Sequence, residues 1–211
     1  MILSPRASFA LATELRGEGA PLGEVFSFVS GLYFRGKLAY ARHFARPPDP
    51  ADPAAPEGVL VITPNAGLRA ANTRVTLESF QRFASEPIEA GNRRYLEPLV
   101  RSARALHAAV GPDCDIVLLG SIASGKYVDV LLPVFGERLL FPSDFIGRGD
   151  MSRGGLMLRC VLTGHELEYI PVAGAVRRGQ RPAKLEPIRG ILQATQDQGI
   201  HRATKVTKGA K

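Results

Sequence analysis

Residues 115–136 read DIVLLGSIASGKYVDVLLPVFG. The apolar run Ile116-Val117-Leu118-Leu119 is too short for a helix and is bounded by turn residues, the pattern of a buried strand of the parallel kind. A loop of small residues ending in a cation follows, Gly120-Ser121-Ile122-Ala123-Ser124-Gly125-Lys126, and then Tyr127, Val130, Leu131 and Val134 recur at helical spacing. Strand, glycine loop and helix in that order aim backbone N–H groups and a helix N-terminus at an anion or polar ligand.

Outward from this stretch, strands and helices alternate. Residues 59–62 (VLVI) form an apolar run that gives way to Thr63-Pro64-Asn65-Ala66-Gly67, and residues 139–141 give way to a loop from Pro142 to Asp150. Phe34, Leu38, Ala41 and Ala45 make one apolar helix face, with Lys37, Arg42 and Arg46 turned outward. Leu77, Phe80, Gln81 and Ala84 outline a short helix with Thr76 as N-cap and Pro87 as stop. Leu96, Leu99, Val100, Ala103, Leu106 and Val110 define the strongest helix, over 93–110. Residues 151–163 fit either a hairpin arm turning at Thr163-Gly164 or a helix from Asp150 to Gly164. The alternation favours the helix, although Gly154 and Gly155 each oppose it by about 1 kcal/mol. Residues 168–172 read as a last, edge strand, and 185–196 as a short helix. The expected fold is therefore α/β: a Rossmann-like, three-layer domain with a mostly parallel sheet, occupying residues 1–176.

Charge divides the chain. Residues 177–211 hold nine basic and two acidic residues and carry the whole net charge of +7, so they read as a basic, partly disordered C-terminal extension. Such a tail either meets nucleic acid through phosphate contacts or stays solvated. No apolar run approaches the roughly 20 residues that span a bilayer, so no membrane partner is expected. The N-terminal segment acquires Glu14 and Glu18 without the long apolar run of a signal peptide. Two cysteines, Cys114 and Cys160, offer neither a disulfide framework nor zinc spacing. These features predict a cytoplasmic protein with no metal and no cofactor.

In an open α/β sheet, the loops leaving the carboxyl ends of parallel strands lie together. That rule gathers Asn65, Ser121, Ser124, Gly125, Lys126, Tyr127, Ser143, Asp144, Arg148, Asp150 and Arg153 around one crevice. Ser121, Ser124, Gly125 and Lys126 are assigned to phosphate or carbonyl oxygen. Asn65, Tyr127 and Asp144 are assigned to a base or sugar, and Arg148 and Arg153 close over it. Tyr33 and Tyr127 supply rings for stacking or a hydrogen bond. Gly120 to Lys126 matches the first half of a Walker A loop, but Tyr127 stands where Ser or Thr would hold magnesium and no Walker B acid follows, which argues against a nucleoside triphosphatase. The loop is then either an anion cradle of another kind or a tight turn that packs helix on strand. Residues 147–155 contain four glycines with Arg148 and Arg153 among them, either a ligand clamp or an arginine–aspartate tie across a long loop.

Three segments together resemble a known family. Leu32-Tyr33-Phe34-Arg35-Gly36-Lys37-Leu38-Ala39-Tyr40-Ala41, then Thr63-Pro64-Asn65-Ala66-Gly67-Leu68, then Gly125-Lys126-Tyr127 with Gly147-Arg148-Gly149, are similar in order and spacing to an uncharacterised bacterial domain family. That family is similar in turn to the Rossmann-like, uracil-DNA-glycosylase-like domains found beside deazaguanine-modifying tRNA enzymes. The resemblance spans roughly residues 30–160 and implies an α/β fold with a nucleobase or nucleotide theme. Those domains often open with a Cys/Ser/Lys-rich loop after the first strand. Here Leu3-Ser4-Pro5-Arg6 stands in that place, so chemistry from that loop lacks its residues.

The resulting expectation is a protein that binds a nucleotide, a nucleobase or nucleic acid. As an enzyme it would perform glycosyl transfer or hydrolysis on a nucleoside, with Asp144 or Asp150 as the carboxylate. The alternative is a non-catalytic module whose basic tail engages RNA, DNA or a protein partner. A third reading is a structural subunit whose loops are interface elements.

Overall fold

Two apolar faces of one helix organise the fold. The computed structural model describes residues 2–51, 58–176 and 179–185. After α1 (Ala10–Arg16) and β1 (Ala20–Pro21) comes α2 (Leu22–Phe44), which breaks at Gly31 (φ 71°, ψ −154°), a backbone conformation reserved for glycine. One face of α2 packs Val25, Leu38, Phe34 and Ala41 into a core shared with Leu15 of α1, Val61, and Phe80 and Phe83. The other face packs Tyr40 and Phe44, with Tyr33 beside them, into a second core. That core contains Tyr95, Leu99, Leu131, Phe135, Phe141 and Met157.

The remaining elements are β2 (Leu60–Thr63), β3 (Gly67–Ala70), β4 (Arg74–Val75), α3 (Leu77–Ala84), α4 (Arg93–Ala109) and β5 (Ile116–Val117). They are followed by α5 (Gly125–Phe135), β6 (Leu139–Pro142), α6 (Asp150–Thr163) and β7 (Tyr169–Pro171). The helices follow their local signals. Thr76 caps α3 by accepting from the Ser79 N–H at 3.3 Å, and Asn92 caps α4 by accepting from the Arg94 N–H at 3.0 Å. Residues 150–163 are the helix of the two alternatives, ending at Gly164 in the left-handed conformation.

The Rossmann-like, mostly parallel sheet does not form. Among the described residues β1 pairs with β4 and β2 with β3, both antiparallel, and the third sheet runs β5-β6-β7. Its only parallel pairing joins Ile116 to Leu139 and Val117 to Leu140, and β7 lies antiparallel to β6. The reason lies in the turn after β2. Thr63, fully buried, donates through Oγ1 to the Gly67 carbonyl at 2.8 Å and accepts from the Ala66 N–H at 3.1 Å. Gly67 has φ 69°, so the chain folds straight back and β3 satisfies the hydrogen bonds of β2. Residues 63–67 thus close a hairpin instead of leaving the edge of a parallel sheet. Of the three strand ends expected to gather ligand loops, that of β2 is thereby lost to the hairpin, while β5 and β6 remain a parallel pair whose carboxyl ends lead into α5 and α6.

One of the two glycines that opposed α6, Gly154, explains its packing. A Cβ on Gly36 would stand 2.7 Å from the Gly154 carbonyl oxygen, and one on Gly154 would stand 2.9 Å from the Leu32 oxygen and the Tyr33 Cα. The backbones of α2 and α6 therefore touch at Gly36 and Gly154, and this contact offsets the low helix propensity of glycine.

A buried hydroxyl network joins α2 to β7. The Tyr40 hydroxyl accepts from the Leu167 N–H at 2.8 Å and lies 2.7 Å from the Tyr169 hydroxyl, which itself donates to Glu166 at 2.9 Å. Tyr40→Phe leaves the buried Leu167 N–H without its acceptor. The expected loss is about 1–3 kcal/mol, read as a lower urea midpoint at unchanged m; an unchanged midpoint would show that water takes over the bond. All but the first residue of the short helix expected at 185–196, and most of the basic tail, lie outside the described residues, as do residues 52–57 of the proline-rich loop. Among the described residues no helix is long and apolar enough to cross a membrane.

Candidate anion-binding site

The residues expected around one crevice divide between several places. Asn65 donates its side-chain amide to the Arg82 carbonyl at 2.9 Å and lines an open groove of about 490 Å³ with Arg82, Arg94, Glu97 and Arg101. That groove includes no residue of the central loop. Ser121 accepts from the Ala123 N–H at 3.3 Å, and Ser124 precedes α5 without a side-chain capping bond. Gly125 opens α5, and the Asp129 carboxylate lies directly against it, where any Cβ would overlap it. The start of α5 therefore already has an acidic neighbour, and the loop's small residues serve the turn. Asp144 is exposed and its charge acts on Cys160, whose buried thiol is pushed up to about 11 chiefly by desolvation. Arg148 donates to the Asp144 carbonyl at 3.0 Å, and its guanidinium reaches Ser152 Oγ and the Ala183 carbonyl, both at 3.4 Å. It ties residue 183 to the start of α6.

Four of the expected residues do come together, Lys126 and Tyr127 on α5 with Asp150 and Arg153 on α6, and α2 adds Tyr33 and Lys37. The Arg153 side chain is 11% exposed; its Nε and Nη2 donate to the Phe145 carbonyl at 3.2 and 3.0 Å. Its Nη1 lies 3.7 Å from an Asp150 carboxylate oxygen, and its positive charge acts on the Tyr33 phenol. The Tyr33 hydroxyl donates to the Leu119 carbonyl at 3.3 Å, which ties α2 to the segment after β5. The Lys37 ammonium sits 4.0 Å from the centre of the Tyr33 ring, and the Lys126 ammonium 5.1 Å from that of Tyr127. Tyr95 on α4 donates to the Lys126 carbonyl at 2.9 Å and steadies the first turn of α5.

The electrostatics follow from crowding cations in a partly buried place. Lys37 is pushed down to about 8, first by desolvation; Asp150 opposes this, and Arg153 and Lys126 lower it further. Burial raises the Tyr33 phenol, and Arg153 works against that rise. Arg153 is paired with Asp150, whereas no ion pair holds Lys37 or Lys126 among the described residues. The cluster thus has excess positive charge beside two aromatic rings, the composition suited to a flat, anionic ligand. No group of three or more His, Cys, Asp or Glu side chains among the described residues is placed to hold a metal ion.

Lys37 is the member that periodicity misplaced. The spacing of Phe34, Leu38, Ala41 and Ala45 identifies one buried face and turns Lys37 to solvent. The second face of α2, with Tyr33, Gly36, Lys37, Tyr40 and Phe44, is covered by α6 and the second core. Gly36 was the available signal, because a glycine inside a helix commonly marks a close backbone approach, and its neighbours then face the same contact. No family model, curated protein or solved structure matches this chain, so the site is interpreted from its own chemistry.

Proposed function

We propose that the protein binds a nucleotide-like ligand, an anion attached to a flat ring, at the junction of α2, α5 and α6. The observation that carries this reading is the pair of lysines without ion pairs, Lys37 and Lys126, gathered with Arg153 beside Tyr33 and Tyr127. Lys126 and Lys37 take the phosphate oxygens, Tyr127 and Tyr33 offer their rings to the base, and Asp150 meets sugar hydroxyls or an amine. In an enzymatic form of this reading, Asp150 is the carboxylate at hand for proton transfer in glycosyl transfer or hydrolysis on a nucleoside.

Thermal unfolding in the presence of inorganic phosphate, nucleotides, nucleosides and free bases tests it. A ligand at 100 times its Kd adds about 2.7 kcal/mol. Lys126→Ala should weaken phosphate-bearing ligands about tenfold or more, roughly 1.4 kcal/mol, with little change for nucleosides. Equal affinity in the variant, or stabilisation by bases but not phosphates, would remove Lys126 and the anion from the proposal. The concentration of the whole net charge in residues 177–211 supports a second reading, salt-dependent contact with nucleic acid. Deleting those residues separates the two, because the junction's ligand should remain bound while nucleic-acid affinity and its salt dependence disappear.

A further inference from the structure

We propose that the groove between α3, α4 and the β2–β3 turn binds the phosphate backbone of a nucleic-acid duplex, with Arg82, Arg94 and Arg101 as its phosphate contacts. The inference rests on the nucleic-acid reading above and gives it a surface on the folded part of the chain, apart from the basic extension. The groove is an open trough of about 490 Å³ whose arginines come from two helices, Arg82 from the last turn of α3 and Arg94 and Arg101 from α4. Residues 94 and 101 are two turns apart on one face of α4, about 10.5 Å along its axis. Arg104, also exposed, extends that side by a further turn. The span from 94 to 101 matches about three nucleotide steps of a strand, at about 3.4 Å of rise each. The walls hold their spacing. Asn65 donates its amide to the Arg82 carbonyl at 2.9 Å and joins the hairpin turn to the end of α3. Ser102 Oγ donates to the Pro98 carbonyl at 2.8 Å and accepts from the Leu68 N–H at 2.8 Å, which joins the hairpin to α4.

The charges select the partner. The two carboxylates in the groove are met from within the protein: Glu97 accepts from Arg93 Nε at 2.9 Å, and Glu86 from Asn92 Nδ2 at 2.7 Å. The groove's arginines are held loosely by comparison. Arg94 reaches Glu86 only at 3.8 Å and Arg82 reaches Glu78 at 3.5 Å, and among the described residues no ion pair holds Arg101 or Arg104. Long pairs made by exposed arginines are worth little in water, so a phosphate oxygen displaces them at small cost. No aromatic residue lines the groove, and Pro98 is the one apolar residue that does. It therefore offers neither the stacking platform of a single-strand site nor the apolar enclosure of a small-molecule pocket. Guanidinium forks spaced along an open trough suit a stiff row of phosphates, contacted without regard to sequence.

The test is fluorescence anisotropy of the full chain with a labelled, mixed-sequence DNA duplex over a series of salt concentrations, beside its single strand and poly-glutamate. The triple variant Arg82→Gln/Arg94→Gln/Arg101→Gln should weaken duplex binding about tenfold or more. It should also flatten the slope of log affinity against log salt by about 2.7, three contacts at about 0.9 each. Glu97→Gln should do the reverse and tighten binding several-fold as Arg93 is released, a gain that misfolding would not produce. A triple variant with unchanged affinity and slope, or a Glu97→Gln variant no tighter than the parent, overturns the groove and leaves nucleic acid to the extension alone. No duplex binding by the full chain overturns both. A single strand that loses as much affinity in the triple variant as the duplex does overturns the duplex as partner. Poly-glutamate bound more tightly than the duplex, and lost in the triple variant, overturns nucleic acid in favour of an acidic protein.

Discussion

Gly36→Ala should destabilise the protein by about 1–3 kcal/mol, although alanine is the better helix former by about 1 kcal/mol. The new Cβ would stand 2.7 Å from the Gly154 carbonyl oxygen and 2.9 Å from the Gly154 Cα. Both atoms belong to the backbone of α6 and cannot rotate away, so relief requires the two helices to separate. Separation loosens the packing of Tyr33 and Met157 and withdraws Arg153 from Tyr33, so the two halves of the junction part together. Gly154→Ala should behave alike, since its Cβ would meet the Leu32 carbonyl and the Tyr33 Cα, each at 2.9 Å. Urea denaturation followed by circular dichroism measures the loss. A variant at least as stable as the parent would show that the helices do not meet at these glycines.

Lys37→Met should do the opposite and stabilise the protein at pH 7, by about 2 kcal/mol after allowing for the lost contact with the Tyr33 ring. The native state holds Lys37 at about 8, against 10.5 for an ordinary lysine. Above pH 10.5 the amine is neutral in both states and exerts no effect. As pH falls from 10.5 to about 8, the unfolded chain takes up the proton first and gains stability relative to the native state; below about 8 both are protonated and the penalty is constant. Methionine at this position titrates in neither state. The stability advantage of the variant should therefore be full at pH 7 and disappear by about pH 10.5, measured by denaturation at a series of pH values. An advantage independent of pH, or a loss at pH 7, would mean that Lys37 is not charge-strained in the fold. A side chain that destabilises its own protein at neutral pH is characteristic of a functional position, where a native sequence tolerates such strain.

Much of the local structure was legible because its causes are local. Thr76 caps its helix through a bond a few residues away, the apolar spacing in 93–110 reports its own burial, and Gly164 marks the end of α6 by the conformation it alone adopts easily. Strand pairing was not legible in the same way. Residues 59–62 have the apolar run of a strand buried in a parallel sheet, yet the bond from Thr63 to the Gly67 carbonyl turns them into one arm of a hairpin. An apolar run records that a segment is buried; it does not record which segment lies beside it.

The site divides along the same line. Lys126, Tyr127, Asp150 and Arg153 were identifiable as donors, rings and a carboxylate on small-residue loops. Asn65, by contrast, belongs to the groove beside α3 and α4, and Arg148 is engaged with Ala183. The Asn65 assignment depended on β2 joining a parallel sheet, and the Arg148 assignment on a guanidinium that the structure spends on backbone carbonyls and Ser152. Lys37 required knowledge of the α2–α6 crossing. The sequence by itself determined the apolar helix faces over 34–45 and 93–110, the Thr76 cap and the Gly164 stop, the uneven distribution of charge and the residue types available for binding, but not α1 or the first turns of α2. Tertiary structure alone decided that α2 is buried on two faces, that glycines bring α6 against one of them, and that Lys37 is thereby enclosed with Lys126 and Arg153. Helix periodicity is a property of neighbours along the chain, whereas the burial that shifts a lysine comes from α6, which begins more than a hundred residues further on.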